Sequence, residues 1–134
     1  MAGSGDALRG AVVDPYGMAL RCLIVDDNDL FLEGAKGFLE REGIEVVGLA
    51  SNSAEALVCI EELGPDVTLV DVDLGDEDGF ELARRLNGRS KVILVSTHAE
   101  EDVAHLVETS PALGFLPKAR LSARAILELL ERAA

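Results

Sequence analysis

The chain is short of cysteine. Its two, Cys22 and Cys59, lack metal-ligand spacing, and both are expected to be reduced core residues, one in a strand and one in a helix. Positive charge is scarce too: 12 Lys and Arg stand against 25 Asp and Glu, a net charge of −13. Such a chain repels nucleic-acid phosphates, and with no basic patch and no room for a helix-turn-helix module after the core, direct DNA or RNA binding is not expected. A cation or a basic protein partner is the better complement. No stretch approaches the roughly 20 apolar residues of a membrane span, and no basic cluster followed by an apolar run marks a secretory signal. The cytoplasm is therefore the expected compartment, with no membrane association. At 134 residues there is room for one domain of ordinary size.

What is present is a regular alternation. Residues Met1 to Gly17 hold four glycines, a proline and no periodicity, and 1–18 reads as a disordered leader before a domain over 19–134. Met18 also stands where a true start would fall. Short apolar runs over Ala19–Val25, Ile44–Ala50, Asp66–Val70, Lys91–Val95 and Ala112–Leu116 read as strands buried on both faces. Between and after them lie helical patterns. The first runs from Asp29 to Arg41 with Phe31, Ala35, Phe38 and Leu39 on one stripe, ended by Gly43. The second is capped by Asn52 with Glu55 as capping-box partner, carries Ala56, Leu57, Ile60 and Leu63 inward, and is stopped by Gly64-Pro65. A third bears Phe80, Ala83 and Leu86; a fourth, over Glu100–Glu108, presents Val103, Leu106 and Val107; the last, capped by Ser122, bears Ala125, Ile126, Leu129 and Leu130. Five strands alternating with five helices through short connections predict a doubly wound, five-stranded parallel sheet in a three-layer α/β/α arrangement.

The most informative stretch is Val67 to Phe80. An apolar run stops at Asp71, and a loop with four more acidic residues follows before Gly79 and a helix. In a parallel sheet all strand carboxyl ends lie on one edge, where ligands bind. That edge collects Asp26, Asp27, Asp71, Ser96 and Lys118. Three neighbouring carboxylates repel one another unless a cation sits among them, and a hard divalent ion such as Mg²⁺ (or Mn²⁺) suits oxygen ligands. A lysine and a hydroxyl beside it complete a phosphoryl pocket. The chemistry implied is phosphoryl transfer onto a carboxylate, which needs mostly positioning and charge neutralisation.

These residues resemble the response-regulator receiver domains of two-component signalling, with the CheY-like, flavodoxin-like fold. The resemblance covers Ala19 to about Ala133 and rests on Asp26-Asp27, on Asp71 with Leu74 and Asp78-Gly79, and on Ser96, Phe115 and Lys118 in order. It implies Asp71 as phosphoacceptor from a histidine kinase or phosphotransfer protein, and Asp27 and the Asp73 backbone carbonyl as direct Mg²⁺ ligands, with Asp26 acting through water. Lys118 would bind the phosphoryl oxygens. Ser96 would move to the phosphoryl group and Phe115 would follow it inward, remodelling the face of fourth helix, fifth strand and fifth helix; a plain core aromatic is the other reading of Phe115. Asp73 and His98, two positions beyond Asp71 and Ser96, would flank the attacking-water path and tune it, although His98 also reads as a solvated loop residue. With nothing after the last helix, a stand-alone receiver is expected to signal by contact with a target, a relay member or a second copy.

The chain departs from the family pattern at Gly75, where proline is frequent and whose presence predicts a more mobile loop, and at Ala119, which follows the lysine where a cis-bonded proline is usual; Pro117 precedes it instead. Two other functions compete. Leu69-Val70-Asp71-Val72-Asp73 also looks like the nucleophile motif of haloacid-dehalogenase-type phosphatases, which turn over phosphate esters, whereas a receiver catalyses only its own phosphorylation and dephosphorylation. An unphosphorylated interaction module of the same fold is the other. The phosphatase reading leaves Asp26-Asp27 without a role, and the interaction reading leaves the whole set of acids, hydroxyl and lysine unused.

Overall fold

In the computed structural model, residues 11–13 and 17–133 are described. The strands β1 (Arg21–Val25), β2 (Glu45–Ala50), β3 (Val67–Asp71), β4 (Lys91–Ser96) and β5 (Gly114–Pro117) form one parallel sheet in the order β2-β1-β3-β4-β5. Their apolar runs lack polar alternation because helices cover both faces. Successive residues of one strand supply opposite layers: Cys22 and Ile24 of β1 join one core with Ile93 and Val95 of β4, while Leu23 and Val25 join the other with Val92 and Leu94. The first core is closed by α1 (Asp29–Arg41) and α5 (Ala123–Ala133), the second by α2 (Ser53–Leu63), α3 (Gly79–Leu86) and α4 (Glu100–Glu108). The doubly wound, five-stranded architecture read from the sequence is the one observed. Its strand order reverses direction between β1 and β3, so the crevice at their carboxyl ends is the place for a ligand. No helix among the described residues is long and apolar enough to cross a membrane.

The helix ends follow the local chemistry. Asn28 caps α1 by accepting from the amides of Leu30 and Phe31. Asn52 Oδ1 accepts from Glu55 N at 2.9 Å, and Glu55 returns its carboxylate to Ser51 N at 2.8 Å, one residue before the cap. Ser122 Oγ accepts from Ala125 N at 3.0 Å. Boundaries shift by one or two residues. Asp66 lies outside β3, and its carboxylate instead accepts Arg21 N at 2.9 Å; Asp71 and Ser96 are the last residues of their strands. Of the segment read as leader, 1–10 and 14–16 lie outside the described residues; Val12 donates to Gly43 O, accepts from Leu20 N and packs on the first core, so ordered contacts begin before Ala19.

Three core assignments are corrected. On α1 the buried stripe is Leu32, Ala35 and Leu39, which leaves Phe38 at 38% exposed, to one side of it. On α4 Leu106 is 49% exposed, since the helix reaches the second core only through Val103 and Val107. Cys59 is half-buried beside Glu55 and Glu62, whereas Cys22 is fully buried, its thiol pushed up to about 12 by desolvation.

Gly79 opens α3 with no room for a side chain: a Cβ there would lie 2.0 Å from Asp71 O and 2.7 Å from Val72 Cα, both backbone atoms that cannot rotate away. Gly79→Ala is therefore expected to destabilise the fold by about 3 kcal/mol. Gly34, exposed within α1 with nothing near its Cβ position, gives the opposite sign: Gly34→Ala should stabilise by about 0.5–1 kcal/mol. Urea unfolding of both variants checks the pair.

Candidate functional site

The loop after β1 begins with Asp26, whose carboxylate is wholly buried. Its Oδ1 accepts Asn28 N at 2.8 Å, so the residue that caps α1 also orients the acid. Its Oδ2 is paired with the Lys118 ammonium, 2.6 Å away. Asp71, at the end of β3 and 6% exposed, points into the same space. There Asp71 Oδ1 accepts the backbone N–H of Asp73 at 3.0 Å, and Oδ2 lies 3.0 Å from Lys118 Nζ. Asp27 is exposed, yet Asp26, Asp27 and Asp71 each bring one oxygen within 4.8 Å of the others.

Lys118 reaches this cluster from the single 3₁₀ turn Lys118–Arg120 after β5. Its ammonium lies 4.2 Å from the centroid of the Phe31 ring, so an aromatic face closes its remaining side. Phe31 read from the sequence as a core residue; it is half-buried, and its role under the lysine becomes visible only when α1 and β5 meet. Burial draws the Lys118 pKa down, but the contacts to Asp26 and Asp71 outweigh it and the net shift is upward. Asp71 is pushed up to about 6, first by desolvation and then by the Asp26 charge, against the pull of the Asp73 amide and Lys118.

The other sequence-nominated residues are placed less centrally. Ser96, 1% exposed, ends β4 with its Oγ accepting His98 N at 2.9 Å. Among the described residues no hydrogen bond joins Ser96 to Asp71. His98 and the Asp73 side chain are exposed. Phe115 is buried in the second core with Phe80 and Leu94.

The loop after Asp71 is closed into a short antiparallel ladder pairing Asp73–Leu74 with Glu77–Asp78. Gly75, at φ +72, opens the two-residue connection; with no positive φ at Asp76, this is the glycine-first hairpin turn. A Cβ on Gly75 would lie 3.0 Å from Asp27 Oδ2, and the fixed negative φ of proline cannot match this backbone. Glycine here supplies a tight turn close to Asp27. Asp78 Oδ1 then caps α3 by accepting Phe80 N. There is no cis peptide bond among the described residues, and Lys118 reaches the cluster with Pro117 before it and Ala119 after it.

The family model described as the response regulator receiver domain matches residues 22–131. The chain is 34% identical over 117 residues to the transcriptional regulatory protein DegU of Brevibacillus brevis, a match covering 84% of this chain and 49% of that protein. It is 38% identical over 85 residues to a protein-glutamate methylesterase/protein-glutamine glutaminase of Koribacter versatilis, covering 61% of this chain and 23% of the other. The chain thus spans about half, or less, of these relatives. Among solved structures, the signal receiver domain of the putative response regulator NarL from Mycobacterium tuberculosis superposes with a TM-score of 0.73 at 30% identity, covering 84% of this chain and 96% of that one. The chain belongs to the response-regulator receiver domain family of two-component signalling. Members of that family interact with histidine kinases or phosphotransfer proteins. These comparisons lend no support to the haloacid-dehalogenase alternative.

The raised Asp71 pKa has a consequence for stability. The group binds its proton more tightly folded than unfolded, so its contribution is present below the unfolded value of about 3.9 and is lost as pH rises through about 6. In chelator-treated protein, the stability difference between wild type and Asp71→Asn should therefore move against wild type between these values and level off above them. Urea unfolding at a series of pH values checks it; parallel profiles would contradict the assignment.

Proposed function

We propose that this receiver domain takes a single phosphoryl group onto Asp71 from a histidine kinase or phosphotransfer protein, in a reaction that needs Mg²⁺ or Mn²⁺. The observation that carries the reading is the pairing of Asp71 and Asp26 with one buried-stem lysine inside a three-carboxylate cluster. The residues fit a hard divalent cation: all the donors are oxygens, and three carboxylates converge with one lysine to offset their charge. Asp26, Asp27, Asp71 and the backbone carbonyl of Asp73 would hold it. Bound there, the ion supplies neutralisation of the carboxylates and of the phosphoryl oxygens.

An Asp71 carboxylate oxygen attacks phosphorus, the new P–O bond forms as the donor's P–N bond breaks, and the electron pair leaves with the donor imidazole. With a pKa of about 6, Asp71 is mostly ionised at neutral pH and needs no base. Lys118 exchanges its carboxylate contacts for a phosphoryl oxygen, a charge-assisted bond that follows the transferred charge. The Ser96 hydroxyl turns its proton toward another phosphoryl oxygen, giving up the His98 amide. Phe115, buried in the second core, follows Ser96 inward, and the coupled movement alters the face of α4, β5 and α5, where a protein target, a relay partner or a second copy binds. Asp73 and His98 border the path of the water that hydrolyses the acyl phosphate and set its rate. Such a domain catalyses only its own phosphorylation and dephosphorylation, and its place of action is the cytoplasm.

Intact mass after incubation with a small-molecule phosphodonor and Mg²⁺ should show one added phosphoryl group, lost in Asp71→Asn and in chelator. An acid-stable phosphate on Asp71→Asn would overturn the assignment. Lys118→Ala should stay folded and bind metal but react roughly a hundredfold more slowly. Mg²⁺ at a hundredfold excess over its Kd should stabilise wild type by about 2.7 kcal/mol, read by thermal unfolding with and without chelator.

A further inference from the structure

The loop after β3 has an attachment that phosphoryl transfer at Asp71 leaves unexplained. Glu77, in the second half of the ladder, reaches α2: its Oε1 accepts the backbone N–H of Ser53 at 2.8 Å, across 24 residues of sequence. Ser53 is the first residue of α2 and is 8% exposed. Its amide is one of the donors that a helix leaves without an internal partner at its start, and the helix dipole favours a carboxylate there. Asn52 takes the Glu55 amide, and Glu55 takes the Ser51 amide. The Ser53 amide, which lies between them, is taken by a side chain from the acidic loop.

That choice has a mechanical result. Glu77 pairs with Leu74 in the ladder, and Asp73 with Asp78, so anchoring Glu77 to α2 anchors the strand that contains Asp73. The Asp73 amide in turn holds Asp71 Oδ1 at 3.0 Å. At the turn, Gly75 leaves room for Asp27, whose Oδ2 would lie 3.0 Å from a Cβ there. The loop is thus tied to the site at one end of the ladder and to a helix N-terminus from the other strand. We propose that Glu77 is a positioning residue: by capping α2 it holds the backbone of Asp73 where Asp71 and a divalent ion require it. The inference rests on the receiver-site reading above. A merely structural cap would change stability and leave metal affinity alone.

Both partners can be removed separately. Glu77→Ala deletes the acceptor and Ser53→Pro deletes the donor; proline suits the first helical position, and Asn52, at φ −157 and ψ 174, already has the extended backbone that precedes proline. Mg²⁺ affinity is measured calorimetrically on unphosphorylated protein, and exchange of the Asp73 amide is followed by NMR in metal-free protein. Each variant should weaken Mg²⁺ binding about tenfold and speed Asp73 exchange. The double variant should be no worse than either single one, and Glu77→Gln, which keeps an acceptor oxygen, should recover most of the affinity. Folded Glu77→Ala with Mg²⁺ affinity within about twofold of wild type and unchanged Asp73 exchange would overturn the proposal, as would full additivity in the double variant. If Ser53→Pro does not fold, Glu77→Ala against Glu77→Gln decides alone. Wild type that neither binds Mg²⁺ nor accepts phosphate refutes the site reading instead, while metal-free exchange at Asp73 still reports whether Glu77 holds the loop.

Discussion

One ammonium group organises the carboxyl edge of the sheet. Lys118 Nζ sits 2.6 Å from Asp26 Oδ2 and 3.0 Å from Asp71 Oδ2, against the Phe31 ring. Two nearly buried carboxylates side by side would repel and would each carry a desolvation cost; a single positive charge between them offsets much of both. It does so incompletely, since Asp71 remains pushed up to about 6. The cluster keeps a negative balance, with the carboxylates of Asp26, Asp71 and the nearby Asp27 against one lysine.

The position of Asp71 depends on backbone packing that leaves no tolerance. Its carbonyl lies where a Cβ of Gly79 would be, so the chain can turn from the loop into α3 only with glycine there. Between these two points the ladder and its Gly75 turn hold the Asp73 amide on Asp71 Oδ1. The acidic character of the loop is therefore divided: Asp78 caps α3, Glu77 caps α2, and Asp71 faces Lys118 and the Asp73 amide.

The two faces of the sheet are unequally filled. Each of α1, α2, α3 and α5 buries residues of its own among those described, whereas α4 reaches the core only through half-buried Val103 and Val107. Its N-cap, Ala99, makes no side-chain hydrogen bond. A helix held by so few apolar contacts opens at low free-energy cost relative to the rest of the domain. Val103 and Val107 share the second core with Phe115 of the edge strand β5.

The sequence by itself determined the class of fold, because five uninterrupted apolar runs separated by amphipathic segments leave a covered parallel sheet as the arrangement that buries them. It also pointed to the acids and the lysine that meet, Asp26, Asp27, Asp71 and Lys118, since residues ending parallel strands must share an edge. The caps at Asn52 and Ser122 were legible from local chemistry alone. What only the tertiary structure decided are the contacts whose partners lie far apart in the chain: Phe31 beneath Lys118, Glu77 on Ser53, and Gly75 close to Asp27. Periodicity assigned Phe31, Ala35, Phe38 and Leu39 to one core stripe; Ala35 and Leu39 are buried there with Leu32, Phe31 packs at the edge of the core, and Phe38 lies to the side. Likewise a run of acids signals charge near a site but not which carboxylate caps a helix and which stays free. That depends on which backbone donor each side chain can reach once the helices are in place.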